Sequence, residues 1–279
     1  MAGEVTPGIY PGIPAEQYHS GPGTSRSQLE LVRQSPAVYW DRVLNPDKPE
    51  EKETDAMRFG SLFHSATLEP DTLADFYRVA PQVDRRTKDG KAAWADFERE
   101  CEENGLTVVS QDDLDMARAM ATAVRNHPRA SRMLAGGAPE QTIYWTDSET
   151  GLLCRARPDY LGEQAQLCIP DLKSTNSAHP SAFARSVVNF GYHRQEAFYA
   201  GGVEAVTGDA LPMVFLAVEK ARPFQVALYT LPEDFVEKGR QQIRAALRRL
   251  ADCKKKDEWP GYPEVITELT MPGWAYMED

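Results

Sequence analysis

Hydrophobic and polar positions along the chain divide it into an unpatterned start, a helical first half and a second half in which strands appear. Residues 1–23 are rich in proline and glycine and show no period, which predicts an extended arm lying on the domain or on a neighbouring subunit. Thr24, Ser25 and Ser27 are hydroxyl caps ahead of Leu29, Leu31 and Val32, so a helix is predicted there, with a restart at Ser35-Pro36 toward Tyr39 and Trp40. Residues 45–55 read as a charged, proline-bearing loop. Over residues 60–68, Leu62, Phe63, Ala66 and Leu68 leave little of a helix circumference polar, which places His64 in apolar company. Ser110 and an acidic first turn open a further helix carrying Leu114, Ala117, Ala121 and Val124, and His127-Pro128 ends it.

The period then changes to two. Residues 141–146, 152–157, 166–173, 213–219 and 224–230 are predicted strands, with turns at 147–151, 162–164 and 221–223. A helical stretch covers 179–206. A last amphipathic helix, 233–251, places Phe235, Ile243, Leu247 and Leu250 on one stripe and Arg240, Arg244 and Arg248 on another. The order predicts an α/β fold, a mixed central sheet flanked by helices, with a single domain over residues 24–279.

Composition narrows the class. With 279 residues, 42% hydrophobic and 26% charged, the chain can bury a core, which excludes disordered and fibrous classes. No stretch approaches the roughly 18 apolar residues of a membrane span, and no basic-then-apolar leader opens the chain, so an untargeted protein without membrane contact is expected. Cys101, Cys154, Cys168 and Cys253 form no CxxC pair, which fits a reducing cytoplasm. A formal charge of −11 confines any nucleic-acid contact to a local patch. Arg85, Arg86, Lys88 and Lys91, leading into Trp94 and Phe97, form the clearest basic stretch beside aromatics; a solvated loop is the other reading.

The candidate chemistry lies around two acids. Pro158-Asp159 ends one predicted strand, and about a dozen residues later the next ends in Asp171-Leu172-Lys173. Asp171 and Lys173 share a strand face, and a hairpin of this length can return Asp171 beside Asp159. Carboxylates held so close repel unless a hard cation such as Mg²⁺ neutralises them, and a lysine beside that cation can orient or deprotonate a water. The alternative is two surface acids and an unconnected lysine. Unpaired charges following Leu167, Cys168 and Ile169 on a buried strand would, however, cost several kcal/mol each. Gln195 and Tyr199, four apart on a helix, share a face. His64 reads either as a further ligand or as a core histidine. Ser25, Arg26 and Ser27 stand at a helix N-terminus, where phosphate binds readily and where capping alone also suffices. Arg26, Arg85, Arg86, Lys88, Lys91 and Arg157 are the local basic set open to an anionic partner; if the partner is DNA, as the resemblance given below implies, Arg157, Ser25 and Ser27 are expected to form a pocket for a terminal 5′-phosphate.

Gly60-Ser61-Leu62-Phe63-His64, Arg157-Pro158-Asp159, Asp171-Leu172-Lys173 and Gln195-Glu196-Ala197-Phe198-Tyr199 resemble, in order and spacing, the GxxxH, PD, (D/E)xK and QxxxY motifs of PD-(D/E)XK nucleases of the RecB type. Residues 21–29, 149–159 and 257–260 further resemble the RecE-type exonucleases, so that the likeness covers nearly the whole chain from about Tyr10. The resemblance implies a restriction-endonuclease-like core and a 5′→3′ exonuclease on linear duplex DNA, releasing 5′-mononucleotides and leaving 3′ strands for a RecT-like annealing recombinase. It also implies a homo-oligomeric ring and Mg²⁺ as cofactor, with Mn²⁺ able to substitute. His64, Asp159, Asp171 and the Leu172 carbonyl would then be metal ligands and Lys173 the base. Gln195 and Tyr199 would orient ligands or substrate, and Glu140 would help to hold metal or water. Two departures are visible: Asp171 stands where many relatives have glutamate, and the long N-terminal region of full-length RecE is absent, which suggests a compact phage-type enzyme. An endonuclease or an iron–sulfur CRISPR-type nuclease of the same fold is the nearer alternative, although the cysteine spacing argues against the second. A catalytically silent DNA-binding recombination factor is the more distant alternative, and the loss of Asp159, Asp171 or Lys173 that would mark it is not seen.

Overall fold

The apolar run at Met213–Glu219 becomes the middle strand of the sheet that carries the site, and the rest of the chain is arranged on its two faces. The structure is a computed structural model that describes residues 5–48, 53–162 and 167–271. Strand β1 (Gly8–Tyr10) and helix α1 (Ala15–Ser20) lead into α2 (Arg26–Gln34), α3 (Pro36–Tyr39) and a π-helical turn at Trp40–Leu44. Helix α4 (Asp55–Leu68), a 3₁₀ turn at Pro70–Thr72 and α5 (Leu73–Phe76) follow. Next come β2 (Tyr77–Val79), α6 (Lys88–Glu103), β3 (Thr107–Val109), α7 (Gln111–Asn126) and α8 (Pro128–Met133). Five strands come after them: β4 (Gly137–Pro139), β5 (Thr142–Thr146), β6 (Leu153–Ala156), β7 (Tyr160–Gly162) and β8 (Ile169–Thr175). The chain continues with α9 (Pro180–Phe190), α10 (Tyr192–Thr207), β9 (Met213–Glu219), β10 (Val226–Tyr229) and α11 (Glu233–Lys256).

Strands β8, β9 and β10 form one sheet in the order β10-β9-β8, with β8 parallel to β9 and β10 antiparallel to it. The parallel pair requires a crossover, which α9 and α10 supply. Alternation sorts the two faces. Ile169, Met213, Phe215 and Ala217 face a core shared with α9, α10, α11, β5 and β6. Leu172, Val214, Leu216 and Val218 face a second core built from α4 and α7. A second sheet, β1-β5-β6, is antiparallel, and β2-β3 and β4-β7 are two-stranded ladders. Helices α10 and α11 pack closely because Gly239 has no side chain: a Cβ there would lie 2.2 Å from the His193 carbonyl.

Several expectations change. The segment expected as an arm contains β1, paired with β5, and α1, whose Tyr18 is buried. The helical stretch 179–206 is two helices, divided at Gly191, whose φ of 68° is a left-handed conformation that glycine adopts without strain and that ends α9. Helix α4 begins at Asp55 under a Thr54 cap, five residues earlier than expected. Strand β8 begins only at Ile169, because Leu167 is exposed and Cys168 half-buried. Residue 166, part of the 162–164 turn and residues 49–52 of the 45–55 loop lie outside the described residues. Lys88 and Lys91 belong to the first turn of α6, capped by Thr87, and not to a loop. The arginine stripe of α11 is neutralised within the chain: Arg240 pairs with Glu233 at 2.6 Å, Arg244 with Asp147 at 2.7 Å and Arg248 with Glu149.

Candidate active site

Four elements meet at Asp171–Lys173, which lie in the middle of β8 rather than at its end as expected, since the strand runs on to Thr175. Helix α4 presents His64 across the sheet, whose Nε2 lies 3.1 Å from the Leu172 carbonyl and whose Nδ1 lies 3.6 Å from Asp159 Oδ1. The corner between β6 and β7 presents Asp159, whose Oδ2 accepts the Leu172 backbone N–H at 2.6 Å. The expected hairpin between the Pro158-Asp159 strand and β8 is replaced by this side-chain tie, since β6 pairs with β5 and β8 with β9. Strand β8 presents Asp171 and Lys173 on one face, in an ion pair. Helix α10 adds Gln195, whose amide donates to Asp171 Oδ1 at 2.6 Å.

Glu140 joins this group from the corner between β4 and β5. Its φ of 52° is a left-handed conformation that costs a non-glycine residue about 1 kcal/mol or more. Its own N–H donates to the Asp159 carbonyl at 3.1 Å, so the strained corner directs both acids to one place. One ligand atom from each of His64, Glu140 and Asp159 lies within 4.8 Å of the others. Arg157 closes the group, its Nε 2.7 Å from Glu140 Oε2 and its guanidinium 5.7 Å from the Tyr18 ring.

The charges in this cluster are incompletely compensated. Burial and then Asp159 push the Glu140 carboxyl up to about 7, against the opposing pull of His64 and Arg157. Burial pushes Asp171 up to about 6, with Lys173 opposing and Asp159 adding to the rise. For Lys173 burial disfavours the ammonium, but Asp171 and Asp159 outweigh it and hold the pKa above its ordinary value. Two acids that resist ionisation beside a third, with a histidine nitrogen among them, are a donor set that a hard divalent cation relieves. The His64 Nε2 to Leu172 carbonyl distance also matches the roughly 3 Å between neighbouring ligands of an octahedral Mg²⁺ bound at about 2.1 Å. The residues present therefore fit the cation that the motifs imply.

The remaining predicted site residues are distributed as follows. Tyr199 is half-buried on the same α10 face as Gln195; burial first, then Tyr18, Asp171 and Asp159, hold its hydroxyl well above its ordinary pKa, while Arg26 opposes. Arg26 donates to the Phe190 carbonyl at 3.2 Å at the end of α9. Ser25 is the N-cap of α2 in a capping box with Gln28, and its hydroxyl lies 2.9 Å from that of Ser27. Both hydroxyls are thus engaged at the cap. Arg85 and Arg86 are exposed, the first stacked 4.0 Å over Trp94 and the second paired with Asp84 at 3.1 Å.

Three residues near the site escaped the sequence reading. Tyr192 offers its ring 4.9 Å from Lys173 Nζ, at the first position of α10, and only the split of the helix at Gly191 makes that placement visible. Tyr18 lies under Arg155 and Arg157. Arg155 is fully buried and donates to the carbonyls of His19, Gly21 and Pro22, which fastens the segment after α1 to β6. The apolar context of Arg155 in a strand was the available signal, since a buried guanidinium requires partners.

A family model described as a PDDEXK-like domain of unknown function (DUF3799) matches residues 25–270. The chain belongs to that family. Its fold is accordingly restriction-endonuclease-like. A solved structure described as a "putative exonuclease" from Eubacterium rectale is similar at a TM-score of 0.64 and 15% identity, over 94% of this chain and 96% of that one. That likeness concerns the fold alone. Among curated proteins none matches the chain.

Proposed function

We propose that the chain is a divalent-metal-dependent nuclease acting as a 5′→3′ exodeoxyribonuclease on linear duplex DNA. The observation that carries this reading is the convergence of His64, Glu140 and Asp159 beside the Asp171–Lys173–Gln195 group. His64, Glu140, Asp159, Asp171 and the Leu172 carbonyl would hold the cation, Mg²⁺ in the cell with Mn²⁺ as a substitute. When bound, such a cation makes water more acidic and stabilises negative charge on phosphate.

The chain's own residues divide the remaining work. Lys173, held by Asp171 and by the Tyr192 ring, is a fixed ammonium beside the carboxylates that can orient the attacking water or take part in its proton transfer. Gln195 keeps the Asp171 carboxylate from rotating. Asp159, anchored to the Leu172 amide, keeps the two halves of the site in register. Arg157 and Arg26 supply the positive charge nearest the site for phosphate, and Arg85 and Arg86 supply a second, outlying patch.

The products would be 5′-mononucleotides and 3′ single strands, the substrate of a RecT-like annealing recombinase. A homo-oligomeric ring around the duplex is part of the same reading. Incubation with linear and covalently closed circular duplex of one sequence, with and without Mg²⁺, tests it. Nucleotide release from the linear form alone, and only with the cation, supports the reading; attack on the closed circle contradicts exonuclease action.

A further inference from the structure

The segment after α11 is anchored and then released. Trp259 stacks on Tyr39 with ring centroids 5.5 Å apart, and the Pro260 carbonyl accepts the Ala37 N–H at 3.2 Å. Beyond that anchor, Tyr262, Val265, Ile266, Leu269 and Met271 are all exposed, Ile266 fully. Five large apolar side chains within ten residues are a surface that water disfavours. The family match runs to residue 270, so this tail is part of the domain and not an appendage to it. In an extended backbone Glu264, Ile266 and Glu268 share one face, an acid–apolar–acid pattern.

A complementary surface lies elsewhere on the same chain. Strand β10 ends its sheet, so one side of its backbone has no strand partner among the described residues. Where its Leu228 meets α8, a groove of about 430 Å³ is lined by His127, Pro128, Arg129, Arg132 and Leu228. Arg129 and Arg132 are exposed at its rim, and neither forms an ion pair among the described residues. The groove has an apolar floor, a basic rim and an open strand edge.

We infer that the tail of one copy docks on the β10 edge of a second copy, Ile266 entering the groove and Glu264 and Glu268 meeting Arg129 and Arg132. Main-chain bonds to the open edge supply affinity, and the side-chain pattern supplies register. Donor tail and acceptor groove are different surfaces, so the contact is head-to-tail: it builds a closed ring where the rotation between copies closes and an open filament where it does not. The contact would supply the interface of the assembly proposed above and in that respect rests on that reading; it requires no catalysis, so an inactive chain would form it equally and its failure is told apart from a failure of the nuclease activity.

Sedimentation equilibrium of the full chain tests it, with circular dichroism to confirm folding. The unmodified chain should associate. Arg129→Glu with Arg132→Glu should weaken association at least about tenfold, since attraction becomes repulsion at both pairs. Glu264→Lys with Glu268→Lys should do the same, and combining all four substitutions should restore association. Ile266→Asp should also dissociate the assembly. A monomer at all concentrations overturns the inference, as does an oligomer indifferent to both charge reversals. Loss of DNA affinity without loss of association on reversing Arg129 and Arg132 also overturns it, and would assign the groove to phosphate instead.

Discussion

The Asp159 carboxylate accepts the backbone N–H of Leu172 at 2.6 Å, joining two residues thirteen positions apart that no strand ladder connects. That bond fixes the corner between β6 and β7 onto the strand carrying Asp171 and Lys173. With the Glu140 N–H on the Asp159 carbonyl, it brings three acids from three separate elements to one place. The site is therefore assembled by tertiary contacts among short corners rather than by one hairpin.

Asp171 and Lys173 should respond differently to substitution. Asp171 is fully buried and holds the Lys173 ammonium. Asp171→Ala leaves a buried charge with one partner fewer and should cost about 3–5 kcal/mol in stability as well as activity. Lys173→Met should abolish nucleotide release while Tm changes little, because the freed carboxylate can take up a proton. Equal losses of Tm in the two variants, read by thermal melts, would contradict this asymmetry.

Gln195→Ala should lower kcat about ten- to a hundredfold, the equivalent of about 1.5–3 kcal/mol for a hydrogen bond to a charged group. The expected signature is a loss in kcat with DNA affinity retained, because the amide acts by holding Asp171. Steady-state kinetics on linear duplex check it, and a change confined to KM would move Gln195 to substrate binding.

Much of this was legible in the residue pattern, for physical reasons that differ by element. Strand β9 was bounded correctly because six consecutive apolar residues buried on both faces leave no other reading. Helix α7 was found because Ser110 and Leu114, Ala117, Ala121 and Val124 give both a cap and a stripe. Strands β1, β2, β3, β4 and β7 were missed, each being three residues long and so too short to show a period. The four motif segments located His64, Asp159, Asp171, Lys173 and Gln195, but their hydrogen bonds are between elements distant in sequence. The arginine stripe of α11 was legible as a stripe, but the partners of Arg244 and Arg248, Asp147 and Glu149, were not, because they lie about a hundred residues earlier.

The pH dependence of the cation-free protein follows from its acids. Folding raises Glu140 from 4.5 to about 7 and Asp171 from 3.8 to about 6. The folded state thus keeps protons that the unfolded chain has already released, so its stability falls as pH rises from about 4 to about 7. A divalent cation competes with those protons. Mg²⁺ should therefore raise Tm more at pH 8 than at pH 6, with a difference on the order of 1–3 kcal/mol. An equal increment at both pH values, by differential scanning calorimetry, would place the cation elsewhere.

Glu196 offers a control outside the cation cluster. Burial pushes its carboxyl up to about 7 although the Met213 N–H, at 3.2 Å, and Arg240 both oppose the rise, and its Oε2 has no hydrogen-bond partner. The protonated acid is the form the fold prefers, so its contribution is complete below about pH 4.5 and is lost as pH rises through 7. Glu196→Gln should match the unmodified protein near pH 5 and exceed it at pH 8.5, by about 1–2 kcal/mol. A variant less stable at both pH values would show that the carboxylate form is preferred.

The central claim is a cation-dependent exonuclease whose chemistry depends on Lys173. The most direct measurement follows linear duplex labelled at the 5′ end of one strand and at the 3′ end of the other, over time, with Mg²⁺, with chelator, and with Lys173→Ala in place of the unmodified chain. The expected result is early release of the 5′ label as mononucleotide, retention of the 3′ label on a lengthening single strand, and neither change with chelator or with the variant. Release of both labels at equal rates, or undiminished release by Lys173→Ala, would contradict the account.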